Sequence, residues 1–369
     1  MASKASQPHR SGAKKRGAAS KGARAGAPTG ARKGTPRGAA KASRRSAPLA
    51  GRVAIVAGAT RGAGRGIAIA LGEAGATVYC SGRSTSGNPS PLKRAETIDE
   101  TAALVTAAGG TGIAVRTDHT VRADVDALMA RVREEHGALD LLVNDVWGGD
   151  SAADVIWKPL AETDLDAGWA LARQAIYSHL ITAQAAIPLL RARKRPRTRA
   201  TIIEVTDGDT LSYRGAFWYD FIKVTIMRLA FSMSMELRKD RIACVAITPG
   251  FLRSEAMLEL FGVTEATWRD GIQKDEHFIA SETPALVGRA VAALAADPTL
   301  MDRSGETFSS WEVARDYALT DRDGSRPDWL AHFRRHIPAA HPAIDWMQRG
   351  LAWQESIKRR TTKFLAPRR

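Results

Sequence analysis

The segment that decides the fold is residues 53–64, which read VAIVAGATRGAG. Its first five residues, Val53–Ala57, are apolar, as expected for a strand buried on both faces. Gly58, Gly62 and Gly64 follow, and a helical run continues beyond them. Glycines between a strand and a helix allow a sharp turn and let a phosphate approach the N–H groups of the helix N-terminus. The glycine spacing differs from the most familiar dinucleotide fingerprint, so the strand–turn–helix context carries this interpretation.

Short apolar segments alternate with helical runs after this turn. Strands are predicted at 53–57, 77–81, 112–117, 139–144, 201–206 and 242–248, and helices at 64–74, 93–108, 121–136, 164–192 and 217–238. Strands separated by helices of this length form parallel βαβ units. The sequence therefore predicts a single α/β domain over residues 49–311, built on a doubly wound parallel sheet.

A basic segment precedes this domain. The first 49 residues hold 13 of the 54 lysines and arginines and no acidic residue, which leaves 41 basic against 39 acidic residues in the remainder. Residues 1–48 contain too little apolar surface to offset the entropy of ordering, so we expect a disordered tail rich in Lys, Arg, Ala and Gly. Two roles stay open: the tail binds nucleic acid through phosphates, or it is a solvated polycationic leader.

The composition excludes several classes of protein. Hydrophobic residues make up 44% and charged residues 25% of the 369 positions, which is typical of a soluble globular chain. There is no apolar run of membrane-spanning length and no apolar core of a secretory signal, so a cytoplasmic location is expected. Two cysteines, Cys80 and Cys244, are too few for a disulfide framework or a cysteine-built zinc site, and no metal is expected.

The alternation of strands and helices stops after Thr307. Residues 312–369 are predicted to form a helical C-terminal extension. One helix face could combine six apolar side chains, namely Ile344, Trp346, Met347, Leu351, Trp353 and Ile357. Such a face either packs on the main domain or reaches a second subunit.

Two arginines lie near the predicted glycine turn. Arg83 follows the second strand, where an NAD-preferring site would carry an acidic residue for the ribose 2′-hydroxyl. Arginine suits a 2′-phosphate instead, and Arg61 within the turn is a second candidate. Because of these residues we favour NADP(H) over NAD(H), with two solvated surface arginines as the alternative.

A tyrosine and a lysine occupy one face of a predicted helix. Tyr219 and Lys223 are four residues apart, which stacks them on the same side. An ammonium beside a phenol favours the phenolate and is expected to lower the pKa of the phenol. Thr206 ends the preceding strand 13 residues before Tyr219. Pro249-Gly250 follows the next strand, with Ser254 four residues beyond.

Taken together, these segments resemble the short-chain dehydrogenase/reductase family. The residues around several of them resemble its DHRS1-like branch. The matching residues lie in family order over about 51–311: Gly58-x-x-x-Gly62-x-Gly64, Asp118, Leu141-Leu142-Val143-Asn144, Tyr219-x-x-x-Lys223 and Pro249-Gly250-x-x-x-Ser254. The resemblance implies a Rossmann-type fold and hydride transfer between a nicotinamide and a carbonyl or secondary-alcohol carbon. It also implies a homo-oligomer formed through the helices at 164–192 and 217–238.

The resemblance also implies a role for each matching residue. Tyr219 would exchange the proton at the substrate oxygen, Lys223 would hold the nicotinamide ribose, and Thr206 would take the place of the family serine. The cofactor would contact Gly58, Arg61, Gly62, Gly64, Arg83, Asp118, Asn144, Lys223, Pro249, Gly250 and Ser254. The aromatic residues Trp147, Phe217, Trp218 and Phe251 lie near family substrate positions, which favours either an apolar substrate or packing beneath a lid.

This sequence departs from the family pattern near the reacting groups. Thr206 keeps a hydroxyl but adds a methyl group that restricts its rotamer. Asp145-Val146-Trp147 replaces the usual residues after Asn144, and Ala175 aligns with the helix asparagine of the family tetrad, with Gln174 or Ser178 as substitutes. These changes keep open a cofactor-binding protein with little turnover. A shift of one residue at the strand end would place Asp207, instead of Thr206, at the substrate.

Overall fold

A parallel sheet forms the centre of the computed structural model, which describes residues 47–90, 92–149, 152–193, 199–337 and 341–365. Its seven strands in the described ranges are β1 (Val53–Ala57), β2 (Thr77–Gly82), β3 (Thr111–Arg116), β4 (Leu141–Asn144), β5 (Ala200–Val205), β6 (Ile242–Thr248) and β7 (Thr307–Ser309). They pair in parallel in the order β3-β2-β1-β4-β5-β6-β7. The strand order reverses between β1 and β4, which places a ligand-binding crevice beyond their carboxyl ends.

Helices cover both faces of this sheet. They are α1 (Gly62–Glu73), α2 (Ile98–Ala107), α3 (Arg122–His136), α4 (Ala153–Ile156), α5 (Leu165–Ala172), α6 (Ser178–Arg191), α7 (Phe217–Leu237), α8 (Glu255–Phe261), α9 (Pro284–Ala296), α10 (Ser310–Asp316), α11 (Trp329–His336) and α12 (Pro342–Leu365). One buried apolar cluster joins α1, α2 and α9 to the sheet, and a second joins α3 and α6. The predicted doubly wound α/β fold is confirmed.

The helical stretch predicted at 164–192 is interrupted. A π-helical segment, Arg173–Tyr177, separates α5 from α6. The Ser178 hydroxyl donates to the Gln174 carbonyl at 2.6 Å, and the Thr182 hydroxyl donates to the Ser178 carbonyl at 2.7 Å. Such side-chain bonds compete with the regular backbone pattern of an α-helix, and the first of them joins the widened turn to the start of α6.

The C-terminal extension begins with α10, which continues β7, and ends with α11 and α12. The α12 backbone packs directly on the loop after β5, because a Cβ added at Gly350 would lie 2.5 Å from the Leu211 carbonyl oxygen. Farther along α12, Leu351 and Trp353 are exposed. The predicted apolar face is therefore less covered beyond Gly350 than at Trp346, whose ring packs edge-on to Tyr213.

Several sequence-based expectations concern the whole chain. No helix in the described ranges is both long and apolar enough to cross a membrane. Cys80 on β2 and Cys244 on β6 are free and buried in the sheet. The expected disordered tail, and with it any nucleic-acid role, falls on residues outside the described ranges apart from Ala47 and Pro48.

Gly58 should be irreplaceable for stability. It has φ of +91°, and an added Cβ would lie 2.3 Å from the Asp145 carbonyl oxygen. Gly109 also has positive φ, at +106°, but its added Cβ would meet nothing. We expect Gly109→Ala to lower the unfolding free energy by about 1–2 kcal/mol through backbone strain alone. Gly58→Ala should cost about 1–3 kcal/mol more because of the clash.

Denaturant unfolding of the cofactor-free protein, followed by circular dichroism, measures both losses. Equal losses for the two variants would show that the turn after β1 can move away from the turn after β4.

Candidate active site

A cleft of about 1090 Å³ opens at the carboxyl edge of the sheet. Because all seven described strands are parallel, the turns that follow β1, β2, β3, β4, β5 and β6 meet at this edge. The predicted site residues that line the cleft are Gly58, Arg61, Gly62, Arg83, Asp118, Thr206, Tyr219, Lys223, Pro249, Gly250 and Ser254. Gly64 and Asn144 are not among the described residues that line it.

The glycine turn brings backbone together at one end of the cleft. Gly64 lies beneath Gly58, since a Cβ at Gly64 would lie 2.3 Å from the Gly58 carbonyl oxygen. Gly62 has φ of +56° and begins α1, so its N–H points out of the helix N-terminus. Because these residues are glycines, the turn is a cradle of backbone groups whose space a side chain at Gly58 or Gly64 would fill. This cradle fits the pyrophosphate of a dinucleotide.

A carboxylate lies at the mouth of that cradle. The Gly62 N–H donates to Glu255 Oε2 at 2.7 Å, and Glu255 Oε1 lies 3.8 Å from Arg65 Nε. Glu255 begins α8, directly after Ser254, whose hydroxyl caps the helix by accepting from the Met257 N–H. The Glu255 carboxylate therefore occupies an anion position at the N-terminus of α1, as a stand-in for a phosphate. The sequence analysis did not single out Glu255, although an acidic residue after a serine cap is a recognisable signal.

Arg83 and Asp118 face each other where the turns after β2 and β3 line the cleft. Arg83 Nη1 lies 4.0 Å from Asp118 Oδ2, and the Arg83 side chain is 47% exposed. Burial would raise the pKa of the Asp118 carboxyl, but hydrogen bonds from the Thr120 hydroxyl and N–H and the charge of Arg83 outweigh it and lower that pKa. Arg83 therefore remains accessible at the cleft wall while Asp118 stays ionised.

Below the cleft lies a buried polar network that joins β4, β5 and α6. The Asn144 amide donates to Glu204 Oε1 at 2.9 Å, and His179 Nδ1 lies 2.6 Å from Glu204 Oε2. His179 Nε2 donates to the Val146 carbonyl at 3.1 Å. Both Glu204 and His179 are buried. Asn144 thus belongs to a network that anchors the turn after β4, and the sequence analysis missed Glu204 and His179 within otherwise ordinary apolar segments.

A second buried histidine lies beside this network. His119 bonds the Ser81 hydroxyl and the Thr182 hydroxyl, each at 2.9 Å. Burial, reinforced by His179, lowers the pKa of His119 to about 3. His119 is therefore neutral and links β2 to α6.

The Tyr219 hydroxyl donates to Asp207 Oδ2 at 2.6 Å. Both side chains line the cleft. The Thr206 hydroxyl is turned to the backbone instead, where it donates to the Lys223 carbonyl at 2.7 Å. The two neighbours therefore have different partners on α7, the Lys223 backbone for Thr206 and the Tyr219 hydroxyl for Asp207. Asp207, which the sequence analysis kept as the alternative, is the one in contact.

Lys223 lies one helical turn from Tyr219, as the spacing predicts. Its Nζ is 5.5 Å from the centre of the Tyr219 ring and 4.0 Å from that of Trp147. The expected lowering of the Tyr219 pKa is wrong for this arrangement. Burial first, and then the charge and hydrogen bond of Asp207, raise the Tyr219 pKa well above its ordinary value. Tyr219 is therefore held as a phenol.

Aromatic side chains form much of the opposite end of the cleft. Trp147 and Phe251 line it as expected, whereas Phe217 and Trp218 are not among the described lining residues. Trp218 is buried, and Phe217 is 38% exposed. The extension supplies further walls, namely Trp329, Leu330, Phe333, Ala343, Trp346 and Met347. The Trp346 ring packs edge-on to Tyr213, with 5.3 Å between centroids.

The chain also matches the model of a known protein family. Residues 52–261 match the model of the short chain dehydrogenases, which is more than half of the chain. This chain belongs to the short-chain dehydrogenase family. Human dehydrogenase/reductase SDR family member 1 is 31% identical over 294 residues, covering 77% of this chain and 88% of the relative. The mouse protein of the same name is 32% identical over 281 residues, so the DHRS1-like branch is confirmed.

Other short-chain dehydrogenases show the breadth of the likeness. The 7α-hydroxysteroid dehydrogenase of Clostridium sardiniense is 28% identical over 57% of this chain and 74% of its own. A solved short chain dehydrogenase from Mycobacterium thermoresistibile superposes with a TM-score of 0.62 at 22% identity, over 76% of this chain and 92% of its own. The 3-oxoacyl-[acyl-carrier protein] reductase of Brucella melitensis, solved with NAD, superposes at 0.58 and 18% identity, over 70% and 95%.

This short-chain dehydrogenase has no asparagine at the predicted tetrad position. Ala175 is buried within the π-helical segment. The Ser178 hydroxyl is committed to the Gln174 carbonyl, so it does not face the cleft. The Gln174 side chain lines the cleft and packs on Gly148, where an added Cβ would lie 2.2 Å from its Cγ. Of the two substitutes considered, only Gln174 reaches the cleft.

A nicotinamide dinucleotide should bind more tightly when the stand-in carboxylate loses its charge. An anion at a helix N-terminus is stabilised by roughly 0.3–1 kcal/mol, and up to about 2 when partly buried. Glu255→Gln removes this competitor of the pyrophosphate, so we expect a three- to tenfold lower dissociation constant, measured by quenching of tryptophan fluorescence.

Glu259→Gln is the matched control, because Glu259 lies on the same helix but pairs with Arg94 at the surface. Its dissociation constant should stay within twofold of the wild type. A weaker affinity in Glu255→Gln would mean that Glu255 helps to hold the cofactor.

Proposed function

We propose that the chain is an NADP(H)-dependent oxidoreductase that transfers a hydride between the nicotinamide and a carbonyl or secondary-alcohol carbon. One observation carries this proposal. Tyr219, its partner Asp207 and Lys223 line the same cleft as the glycine cradle of Gly58 and Gly62. A proton-exchanging group and a dinucleotide cradle in one cleft are what such a reaction needs.

Different residues along the cleft would hold different parts of the cofactor. The cradle of Gly58 and Gly62 fits the pyrophosphate, and Arg83 with Asp118 fits the adenosine end. Lys223 and the turn at Pro249-Gly250 would border the nicotinamide. When bound, the nicotinamide supplies or accepts the hydride.

The chain's own residues would handle the proton. Tyr219 is held protonated by burial and by Asp207, so it suits the general acid of a reduction better than the base of an oxidation. Asp207 takes the place that the sequence analysis gave to Thr206. Thr206 would act indirectly, because its hydroxyl holds the backbone of Lys223.

The side chains that line the cleft indicate the kind of substrate, and the exposed side chains indicate where the chain would self-associate. The aromatic end of the cleft, with Trp147 and Trp346, favours an apolar small-molecule substrate. Self-association is favoured by apolar surface on α5 and α7, where Trp169 is 59% exposed and contacts Phe221 at 6.1 Å between ring centres. Nucleic-acid binding by residues 1–48 receives no support from the family. The cytoplasmic location stays a prediction.

The preference for NADP(H) rests on Arg83. A charge-assisted bond to a phosphate is worth roughly 1.5–3 kcal/mol, and about 1.4 kcal/mol is tenfold in affinity. Arg83→Ala should therefore raise the dissociation constant for NADPH at least tenfold and that for NADH less than twofold, by fluorescence titration.

Arg116→Ala is the control for this experiment. Arg116 is also exposed at a strand end, but it pairs with Asp124 and is not among the described lining residues. Both cofactors should bind this variant as they bind the wild type. A wild type that prefers NADH would contradict the NADP(H) assignment.

Removal of the Tyr219 hydroxyl tests the reaction itself. General acid catalysis is typically worth about 10²–10⁴-fold, so Tyr219→Phe should lower kcat by that factor while NADPH binding persists. The assay follows NADPH oxidation with the best substrate of a carbonyl panel. Tyr317→Phe, whose hydroxyl bonds Asp297, loses a comparable hydrogen bond elsewhere and should keep wild-type kcat.

Full activity in Tyr219→Phe would contradict the proposed mechanism. A wild type that binds NADPH but oxidises none of it with any substrate would favour the alternative of a cofactor-binding protein.

A further inference from the structure

The acceptor beside Tyr219 has the wrong charge for an ordinary carbonyl reduction. Negative charge develops on the substrate oxygen when a hydride adds to a carbonyl carbon, and an active site stabilises it with hydrogen-bond donors. A carboxylate can only accept hydrogen bonds, and Asp207 Oδ2 already receives the one hydrogen of the Tyr219 hydroxyl at 2.6 Å. The Thr206 hydroxyl, which could donate, is bound to the Lys223 carbonyl. The two groups at the strand end therefore offer the oxygen no donor.

A carbon–nitrogen double bond reverses this requirement. A protonated imine is a cation with an N–H donor before the hydride arrives, and it becomes a neutral amine afterwards. A carboxylate next to that nitrogen accepts a charge-assisted hydrogen bond, which is roughly twice as strong as a neutral one. The same Asp207 that opposes an alkoxide would thus stabilise an iminium.

The rest of this end of the cleft fits an apolar ring system. Trp147 and Met347 line it, and Trp346 closes it against Tyr213. Two positive groups lie nearby. The Lys223 ammonium lies 4.0 Å from the centre of the Trp147 ring and 5.5 Å from that of Tyr219, and the Arg214 guanidinium packs over Gly208 and donates to the Thr210 carbonyl. Asp207 is the acidic group that contacts the proton-bearing Tyr219.

We propose that this site reduces the C=N bond of apolar cyclic imines, with Asp207 accepting the N–H of the protonated imine and Tyr219 supplying the proton when the imine arrives neutral. The inference rests on the proposed hydride transfer and extends it to a further substrate class. The balance is imine, proton and NADPH giving amine and NADP⁺. A C–H bond forms at the imine carbon, the π electron pair moves to nitrogen, and nitrogen keeps the proton.

A binding experiment tests the charge preference without turnover. Calorimetry of the full-length protein with N-methylisoquinolinium, a permanent cation, is compared with that of 2-methylnaphthalene, its neutral isostere. We expect the cation to bind at least tenfold more tightly than the isostere, and Asp207→Asn to abolish that difference.

Asp220→Asn is the control for the loss of charge. Asp220 adjoins Tyr219 on α7, but its carboxylate accepts from the Arg214 N–H and is not among the described lining residues. Asparagine can keep that bond, so the preference for the cation should change less than twofold. The role of Asp207 would be overturned if the cation binds the wild type no better than its isostere. It would also be overturned if Asp207→Asn and Asp220→Asn lose the preference for the cation equally.

A kinetic experiment tests the substrate class. NADPH oxidation is followed with 3,4-dihydroisoquinoline and with 2-tetralone, a ketone of the same ring size. We expect the wild type to prefer the imine in kcat/KM, and Asp207→Ser to shift the ratio at least tenfold towards the ketone.

A wild type that prefers the ketone and loses ketone activity in Asp207→Ser would overturn the inference but leave the proposed function intact. A wild type that does not bind NADPH, or a Tyr219→Phe variant with full activity, would overturn the proposed function instead. If neither compound is reduced, the calorimetric comparison still decides the charge preference.

Discussion

The contact between His179 and Glu204 is the interaction on which the site depends. A carboxyl group and an imidazole, both buried, meet at 2.6 Å, and Glu204 also receives the Asn144 amide. An isolated charge at such a depth would be very costly, and removal of one partner from a buried pair typically costs about 3–5 kcal/mol. The pair can therefore exist only as a unit, and it fixes β4, β5 and α6 in one arrangement.

The consequences of that unit reach the cleft through one carbonyl. His179 Nε2 donates to the Val146 oxygen, which fixes the turn after β4. This turn carries Trp147 to the Lys223 ammonium, and its Asp145 backbone lies against Gly58. The glycine cradle, Lys223 and Trp147 are thus positioned from a single polar core.

Much of the fold was predictable from the sequence because its signals are local. Val53–Ala57 and Ile242–Thr248 have the predicted bounds, since buried parallel strands are uninterrupted apolar runs. The residue facing Tyr219 was harder to predict. Thr206 and Asp207 are neighbours that both line the cleft, and the chain direction after β5 decides which of them meets the Tyr219 hydroxyl. Sequence spacing gives the distance between residues along the chain and not the direction of a side chain.

Other features were beyond prediction for related reasons. The π-helical segment at Arg173–Tyr177 leaves no trace in the apolar pattern, because a change of backbone hydrogen bonding over one turn does not alter which residues are apolar. The proximity of Tyr219 and Lys223 follows from their spacing, but the Tyr219 pKa depends on burial and on a carboxylate from another element. Glu204 and His179 lie 25 residues apart, and only the folded sheet brings them together.

The close approach of Gly350 to the loop after β5 has a consequence for biosynthesis. The cradle and the Tyr219 helix belong to the predicted domain at residues 49–311, which is translated before the C-terminal extension, and domains generally fold as units during synthesis. The wall that holds Trp346 belongs to α12, which is translated long after β6. A nascent chain would therefore present this cleft open on the side that α12 later covers, with the glycine cradle accessible before that wall closes.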